Sequence, residues 1–340
     1  MQTAILDDFV PFYERAAARF PGYLIGKLVV SLVPGLVFFA LRAAVVGDAA
    51  FTDWSWLLAV LISTAMLCLY YATYTLHCLL PEMGLLLRRR DAQPGDVFMS
   101  PIRRILSDRN FVCAGLGFGL FNCAVGYWLR PPGGTDHATL YVGFFLAGFV
   151  CGMAAWGIYG VTVALTEFGR VAKDSLDYAA PDRCGGVQFI GEGLVVFSSV
   201  TLIVGVMISL YILTVPWQNA THWAKALQWI WTAFPFLMSL VILIAPAVPL
   251  NEALRQYKLD EEERLRCALA DISQELARGQ AEPDRRKLLR DAATDQQNAR
   301  KDLFAMGTWP HGISANLKYL GIFLANMLAT VSTVHNLFPK

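Results

Sequence analysis

Long apolar stretches constrain this chain more than any other feature of its sequence. Six runs follow one another, and each is long enough to cross the roughly 30 Å hydrocarbon core of a bilayer as an α-helix. The runs are 23–46, 54–80, 111–128, 140–165, 194–215 and 223–250. A seventh run, 313–338, is apolar but carries polar residues. The sequence therefore predicts an all-α, polytopic membrane helix bundle of about seven spans.

The distribution of positive charge predicts the orientation of these spans. Of the 28 Lys and Arg residues, 24 fall on one side of the membrane if the N-terminus is cytoplasmic. Positive residues stay on the cytoplasmic side, so we expect a cytoplasmic N-terminus and an outside C-terminus. Lys27 and Arg42 lie about a turn from the ends of the first span, where their side chains are expected to snorkel. The expected location is a bacterial inner membrane.

The chain divides into four predicted parts. Residues 1–22 have apolar side chains at helical spacing and are expected to form an amphipathic helix on the membrane surface. Residues 23–250 form the six-span bundle. Residues 251–308 are highly charged but keep an apolar stripe, which predicts a cytoplasmic helical hairpin with coiled-coil character rather than a solvated linker. Residues 309–340 contain the seventh helix and a short outer tail.

Glycine pairs in the third and fourth spans predict how those helices pack. Gly115 and Gly119 are four residues apart, as are Gly148 and Gly152. Small residues at this spacing let helix backbones approach closely in membranes.

Motifs that carry catalytic or metal chemistry are missing from the sequence. The five His residues are scattered singly, and the seven Cys residues make no CxxC pair or zinc spacing. The sequence has no HExxH, no GxSxG and no P-loop lysine. A net charge of +1 gives no indication of a nucleic-acid partner. We therefore expect no enzyme activity, no cofactor and no metal site.

The sequence PDRCGG, which ends at Gly186, is the most distinctive local element. Pro-Asp starts turns, and paired glycines allow positive φ. One interpretation is a tight turn that positions the fifth span. The other is a cytoplasmic site for an ion or anionic ligand, formed by Asp182, Arg183 and Glu192 with Gly185 and Gly186. The loop resembles a PDxxGG loop of uncharacterised prokaryotic membrane proteins, which implies no function.

The seventh span carries a polar stripe. Asn326, Thr330 and Thr333 lie at i, i+4 and i+7, on one face of a helix, and Asn336 adds polarity near the outer end. A polar stripe facing lipid is costly, so this face is expected to contact protein or water. Interhelical hydrogen bonds explain it in one interpretation. In the other, these four residues line a water-filled path.

The predicted topology resembles the seven-transmembrane ion channel superfamily that includes insect odorant and gustatory receptors. That resemblance implies a tetramer with a cytoplasmic anchor and a pore lined by the last helix. Residues 330–338 are loosely similar to the ending of gustatory receptors, although Val331 replaces a tyrosine and Leu337 a glutamine.

Three functions are compatible with these patterns. The first is a homo-oligomeric ion channel in the lipid bilayer, with the seventh helix lining the path. The second is a membrane scaffold or signalling subunit whose hairpin recruits a cytoplasmic protein partner. The third is a small-solute transporter.

Overall fold

The computed structural model of the protein describes residues 10–88, 104–131, 138–219, 221–278 and 283–310, together with 319–321, 323, 324 and 327. These residues are helical apart from short connections and contain no strand. The helices are α1 (Phe12–Ala17), α2 (Tyr23–Val46), α3 (Ala49–Thr52), α4 (Ser55–Arg88), α5 (Asp108–Leu129), α6 (Ala138–Val171), α7 (Gln188–Thr214), α8 (His222–Ile244), α9 (Ala247–Ala277) and α10 (Pro283–Ala305). A 3-10 turn, Ala172–Ser175, follows α6.

Six segments are long and apolar enough to cross a membrane, namely α2, α4, α5, α6, α7 and α8 with its extension α9. The chain is therefore a multi-pass membrane protein. Helix α2 has the predicted bounds, whereas α4 and α6, each 34 residues long, continue past the predicted ends. At about 1.5 Å per residue they exceed the thickness of the hydrocarbon core. Most of the predicted seventh span, 313–338, lies outside the described residues.

Helices α5 and α6 pack backbone to backbone at the predicted glycine pairs. A Cβ on Gly152 would lie 2.5 Å from the carbonyl oxygen of Ala114, and one on Gly148 would lie 2.8 Å from that of Phe118. A Cβ on Gly115 would lie 2.8 Å from the ring of Phe149, and one on Gly119 would lie 2.9 Å from the ring of Phe145. The prediction of close packing between the third and fourth spans is confirmed.

The helix of the predicted sixth span is interrupted before the predicted end at residue 250. Helix α8 stops at Ile244, and α9 begins at Ala247 after Pro246, which has no backbone N–H to continue the helical ladder. Helices α9 and α10 pack against each other, with an ion pair of 3.3 Å between Glu262 and Arg300. We call the end of the bundle from which these two helices extend the α9 end, and the opposite end the Trp217 end.

Part of the predicted apolar stripe of the charged segment is buried in this arrangement. Leu254, Tyr257 and Leu265 on α9 are each at most 8% exposed, and Leu303 on α10 is fully buried. Burial of these side chains attaches the α9–α10 pair to the α9 end of the bundle, because they belong to the same hydrophobic cluster as residues of α4 and α6.

Helix α1 packs into the α9 end of the bundle. Tyr13 is 2% exposed, and its hydroxyl lies 2.7 Å from Thr73 Oγ1. Asp108 accepts a hydrogen bond from the Phe12 backbone N–H at 3.0 Å and pairs with Arg15. Thus the described part of residues 1–22 is held by contacts with several helices. A helix that only lies on the membrane surface would not need these contacts.

Candidate functional site

Asp182 organises the loop between α6 and α7. Its Oδ1 accepts hydrogen bonds from the backbone N–H groups of Cys184 and Gly186, both at 2.9 Å, and its Oδ2 accepts one from Gln188 at 3.0 Å. Gln188 is the first residue of α7, where backbone donors have no partner within the helix. The carboxylate therefore closes the turn and caps α7, as the structural interpretation of this loop expects.

Contacts with other elements leave little space around this loop. Gly185 has φ +71°, and a Cβ there would lie 2.9 Å from Met306 Cε. The carbonyl oxygen of Arg183 accepts a hydrogen bond of 2.7 Å from the Gly307 N–H. A Cβ on Gly186, φ +85°, would lie 3.2 Å from Leu86 of α4. Glycine is needed at both positions for two reasons. The backbone there has positive φ, and the loop packs closely between α4 and the end of α10.

The other residues predicted for this loop do not converge on one point. The Arg183 side chain is exposed, and its backbone has φ +54°. Glu192 lies one turn into α7 and accepts a hydrogen bond of 3.0 Å from the Gln188 side chain. Cys184 is buried, and burial together with the nearby Asp182 carboxylate raises the pKa of its thiol. The proposed ion or anion site at this loop stays a prediction.

The four candidates for a pore, Asn326, Thr330, Thr333 and Asn336, lie outside the described residues. Two residues that precede them along the predicted seventh span are described. The Tyr319 hydroxyl lies 2.6 Å from Ser239 Oγ of α8, and the ring of Phe323 contacts that of Phe236. Since Phe236 is farther from the α9 end than Ser239, the chain from Tyr319 to Phe323 runs antiparallel to α8.

A chamber of about 270 Å³, partly open to the outside, lies in the middle of the bundle. Five helices, α4 to α8, form its walls, with α1 at one end. Representative lining residues, one from each of the five helices, are Leu61, Phe118, Ala147, Val204 and Met238. Sequence reasoning missed this chamber because each lining residue is an ordinary apolar residue of a membrane span.

Most polar groups in the chamber walls already have partners. Asn122 donates a hydrogen bond of 2.7 Å to the carbonyl oxygen of Phe144, and Thr201 donates one of 2.9 Å to that of Phe197. The hydroxyl of Tyr211, at the Trp217 end, is buried and has no hydrogen-bond partner among the described residues. The chamber therefore offers a largely apolar surface with few polar groups left to bind a ligand.

Aromatic residues held by hydrogen bonds lie at the two ends of the chamber. At the α9 end Tyr13 of α1 lines the wall, and its backbone carbonyl accepts a hydrogen bond of 2.7 Å from Tyr70. At the Trp217 end the indole N–H of Trp217 donates to the carbonyl oxygen of Ile212 at 2.8 Å, and its ring stacks on Phe144. The longest dimension of the chamber thus ends in ordered aromatic side chains.

Beyond the chamber, the Trp217 end holds a buried ion pair. Arg42 is 3% exposed, and its guanidinium donates to Asp53 Oδ2 at 2.7 and 3.0 Å and to Thr139 Oγ1 at 2.8 Å. The expectation that Arg42 snorkels is wrong, because its charge is neutralised inside the protein by Asp53. The sequence signal that was available is the opposite charge of Arg42, near the end of α2, and Asp53, the last residue of the short 47–53 connection.

Comparisons with protein-family models, with curated proteins and with solved structures found no match to this chain. Its function is therefore argued from the chamber and the helices that surround it.

Proposed function

We propose that this membrane protein binds an apolar small molecule, of the size of a medium-length alkyl chain, inside its helix bundle. The observation that supports the proposal is the chamber of about 270 Å³ with apolar walls. Apolar cavities in proteins stay dry and accept apolar ligands. A bilayer provides such molecules at high local concentration, so the ligand need not come from water.

The size of the chamber argues that an occupant stabilises the protein. Protein interiors are close-packed, with few voids larger than a water molecule. A ligand that fills the space restores the lost dispersion contacts, and its binding free energy adds to the folding free energy.

An ion channel is a second candidate, and the contacts of Tyr319 favour it. Tyr319 joins the start of the predicted seventh helix to Ser239 of α8, which in turn lies 2.9 Å from Ser198 of α7. The neighbouring Met238 and Phe197 line the chamber. A ligand in the chamber would therefore act on the helices that hold the proposed seventh helix. The ion path itself would be lined by Asn326, Thr330, Thr333 and Asn336.

In this proposal the protein is a homo-oligomer, as the resemblance implies, with seven spans. Its N-terminus and the α9–α10 pair are cytoplasmic, and its C-terminus lies outside a bacterial inner membrane. The scaffold function remains the alternative if the α9–α10 pair binds a cytoplasmic partner and no flux occurs. A transporter would require the apolar chamber to open alternately to the two sides.

Binding of tritiated 1-dodecanol to the protein in lipid nanodiscs tests the chamber directly. Met238→Trp adds a ring inside the chamber, and we expect it to weaken binding about tenfold or more, a cost of about 1.4 kcal/mol. The matched control is Leu237→Trp, because Leu237 is the adjacent residue of α8 and is 62% exposed on the outside of the bundle. Equal dodecanol binding by both variants, or none by the wild type, would contradict the proposal.

Ion flux in liposomes tests the second candidate. Wild-type protein is compared with Asn326→Leu and Thr330→Leu, each with and without 1-dodecanol. Selective flux that depends on these two residues and responds to dodecanol supports a ligand-responsive channel. Dodecanol binding without flux leaves a binding protein that does not conduct.

A further inference from the structure

A groove on the outside of the bundle adjoins the chamber between α4 and α7. Its outer rim consists of exposed apolar side chains, namely Leu67, Tyr71 and Ile203, which are 37%, 53% and 45% exposed. Cys68 and Val200 line both the groove and the chamber. Among the described residues, these two half-buried ones alone are common to the two spaces, so they form the partition between them.

The helices that border the groove are held together on both sides of it. Toward the α9 end, a Cβ on Gly193 of α7 would lie 2.5 Å from Leu79 of α4, which shows close contact. Toward the Trp217 end, Leu58 of α4 and Ile212 of α7 belong to one buried hydrophobic cluster. The separation between α4 and α7 is therefore local, at the depth of Cys68, in the middle of a 34-residue helix.

We infer that this groove is a lateral portal through which an alkyl chain dissolved in the bilayer enters the chamber, an inference that rests on the proposed function. Two observations support this occupant. The rim is apolar and faces outward on two membrane-spanning helices, where lipid chains lie, and the partition is thin. A small shift of the Cys68 and Val200 side chains joins groove and chamber, whereas the two ends of the chamber carry Tyr13 and Trp217, whose side chains are held by hydrogen bonds.

Native cysteines report whether a molecule passes through this portal. Cys151 lines the chamber and takes no part in the groove, whereas Cys113 is exposed on α5 and lines neither space. An alkyl diazirine partitions into the bilayer. A light flash at a set time after mixing converts it to a carbene that alkylates a thiol by insertion into its S–H bond, so the reaction does not require the thiolate. Mass spectrometry of peptides from nanodisc-embedded protein then gives a rate for each cysteine separately.

The test variant is Leu67→Trp, which adds a ring in the groove without altering the chamber lining. Its matched control is Val60→Trp, because Val60 is 45% exposed on α4 and lies seven residues, two helical turns, from Leu67 on the same face. We expect Leu67→Trp to slow alkylation of Cys151 about tenfold or more, since a bulkier rim raises the barrier to entry. Alkylation of Cys113 should keep its rate in both variants, and Val60→Trp should leave Cys151 unchanged.

Equal rates at Cys151 in the two variants would overturn the portal while leaving the chamber proposal intact, since the reagent would still have reached Cys151. Wild-type protein in which Cys113 reacts and Cys151 does not would also overturn the portal. Equilibrium binding of 1-dodecanol, which tests the chamber itself, should be the same in Leu67→Trp as in the wild type. If Leu67→Trp does not fold, Ile203→Trp places the same obstruction on the α7 side of the groove.

Discussion

The loop around Asp182 has a distinctive sequence but little space for a ligand, whereas the chamber has an ordinary sequence and open space. The loop, residues 176–187, has the most distinctive motif in the chain, yet its polar groups bind backbone and its glycines touch neighbouring helices. The chamber has no motif, yet it provides about 270 Å³ of space between the helices. A conspicuous motif in a membrane protein can thus belong to a tightly packed junction between helices. Space for a ligand can instead lie between ordinary apolar residues that do not pack against one another.

The two regions also differ in how strongly each position restricts the type of residue that can occupy it. Positive φ at Gly185 and three backbone donors around Asp182 each demand one kind of residue. A chamber wall requires only apolar side chains of limited size, which many residues satisfy. Substitutions should therefore have large effects in the loop and small effects on stability in the chamber.

Removal of the Asp182 carboxylate should give the largest effect. Asp182→Ala leaves three backbone N–H groups without their acceptor, and we expect a loss of about 3 kcal/mol in unfolding free energy, because hydrogen bonds to a charged group are worth about 1.5–3 kcal/mol each and are not additive. Asp182→Asn keeps one amide oxygen and should lose less. Unfolding in detergent micelles, followed by tryptophan fluorescence, measures the difference.

The matched control for Asp182 is Asp177→Ala in the same loop. The Asp177 carboxylate accepts one exposed hydrogen bond, from the Ala179 N–H at 2.9 Å. We expect a loss of about 1 kcal/mol or less for this change. Similar losses for the two variants would contradict the view that Asp182 organises the loop.

Enlarging Gly185 should give the next largest effect. Gly185→Ala adds a methyl group at positive φ and against Met306, with an expected cost of about 2 kcal/mol. Gly117→Ala is the control, because a Cβ at Gly117 meets nothing within 4 Å and alanine is the better helix former. Thermal unfolding of both variants checks this, and a stable Gly185→Ala would show that the loop has more room than its contacts indicate.

A matched pair of alanines on α6 tests the chamber side of the comparison. Ala154 lines the chamber, whereas Ala164 is 1% exposed and packed in the core. Overpacking a dense core costs about 1–3 kcal/mol, so Ala164→Leu should destabilise by about 2 kcal/mol. Ala154→Leu should change stability by less than about 1 kcal/mol, since its side chain enters open space, and should weaken dodecanol binding. Equal destabilisation would mean that the chamber is not open at Ala154.

The sequence predicted the parts of the fold that depend on one helix at a time. The bounds of α2 and the glycine contacts of α5 with α6 follow from apolar length and local spacing. The chamber and the inward position of Arg42 depend on how several helices sit together, because Asp53 and Thr139 reach Arg42 from different segments. Periodicity within a span shows which residues are apolar, but it does not show which of them leave a space between them.

The smallest expected effect concerns Cys184 in the Asp182 loop. Burial, and secondarily the Asp182 carboxylate, raises the pKa of its thiol, so less of it is thiolate at a given pH. We expect iodoacetamide to alkylate Cys184 severalfold more slowly at pH 8 than Cys267, which is exposed on α9. An acid whose pKa is raised by folding favours the folded state below its unfolded pKa and loses that contribution as the pH rises. Stability should therefore fall slightly above pH 9, and Cys184→Ala should remove this part of the pH dependence. Fast alkylation of Cys184 at pH 8 would mean that the loop opens readily and is less tightly packed than its contacts indicate.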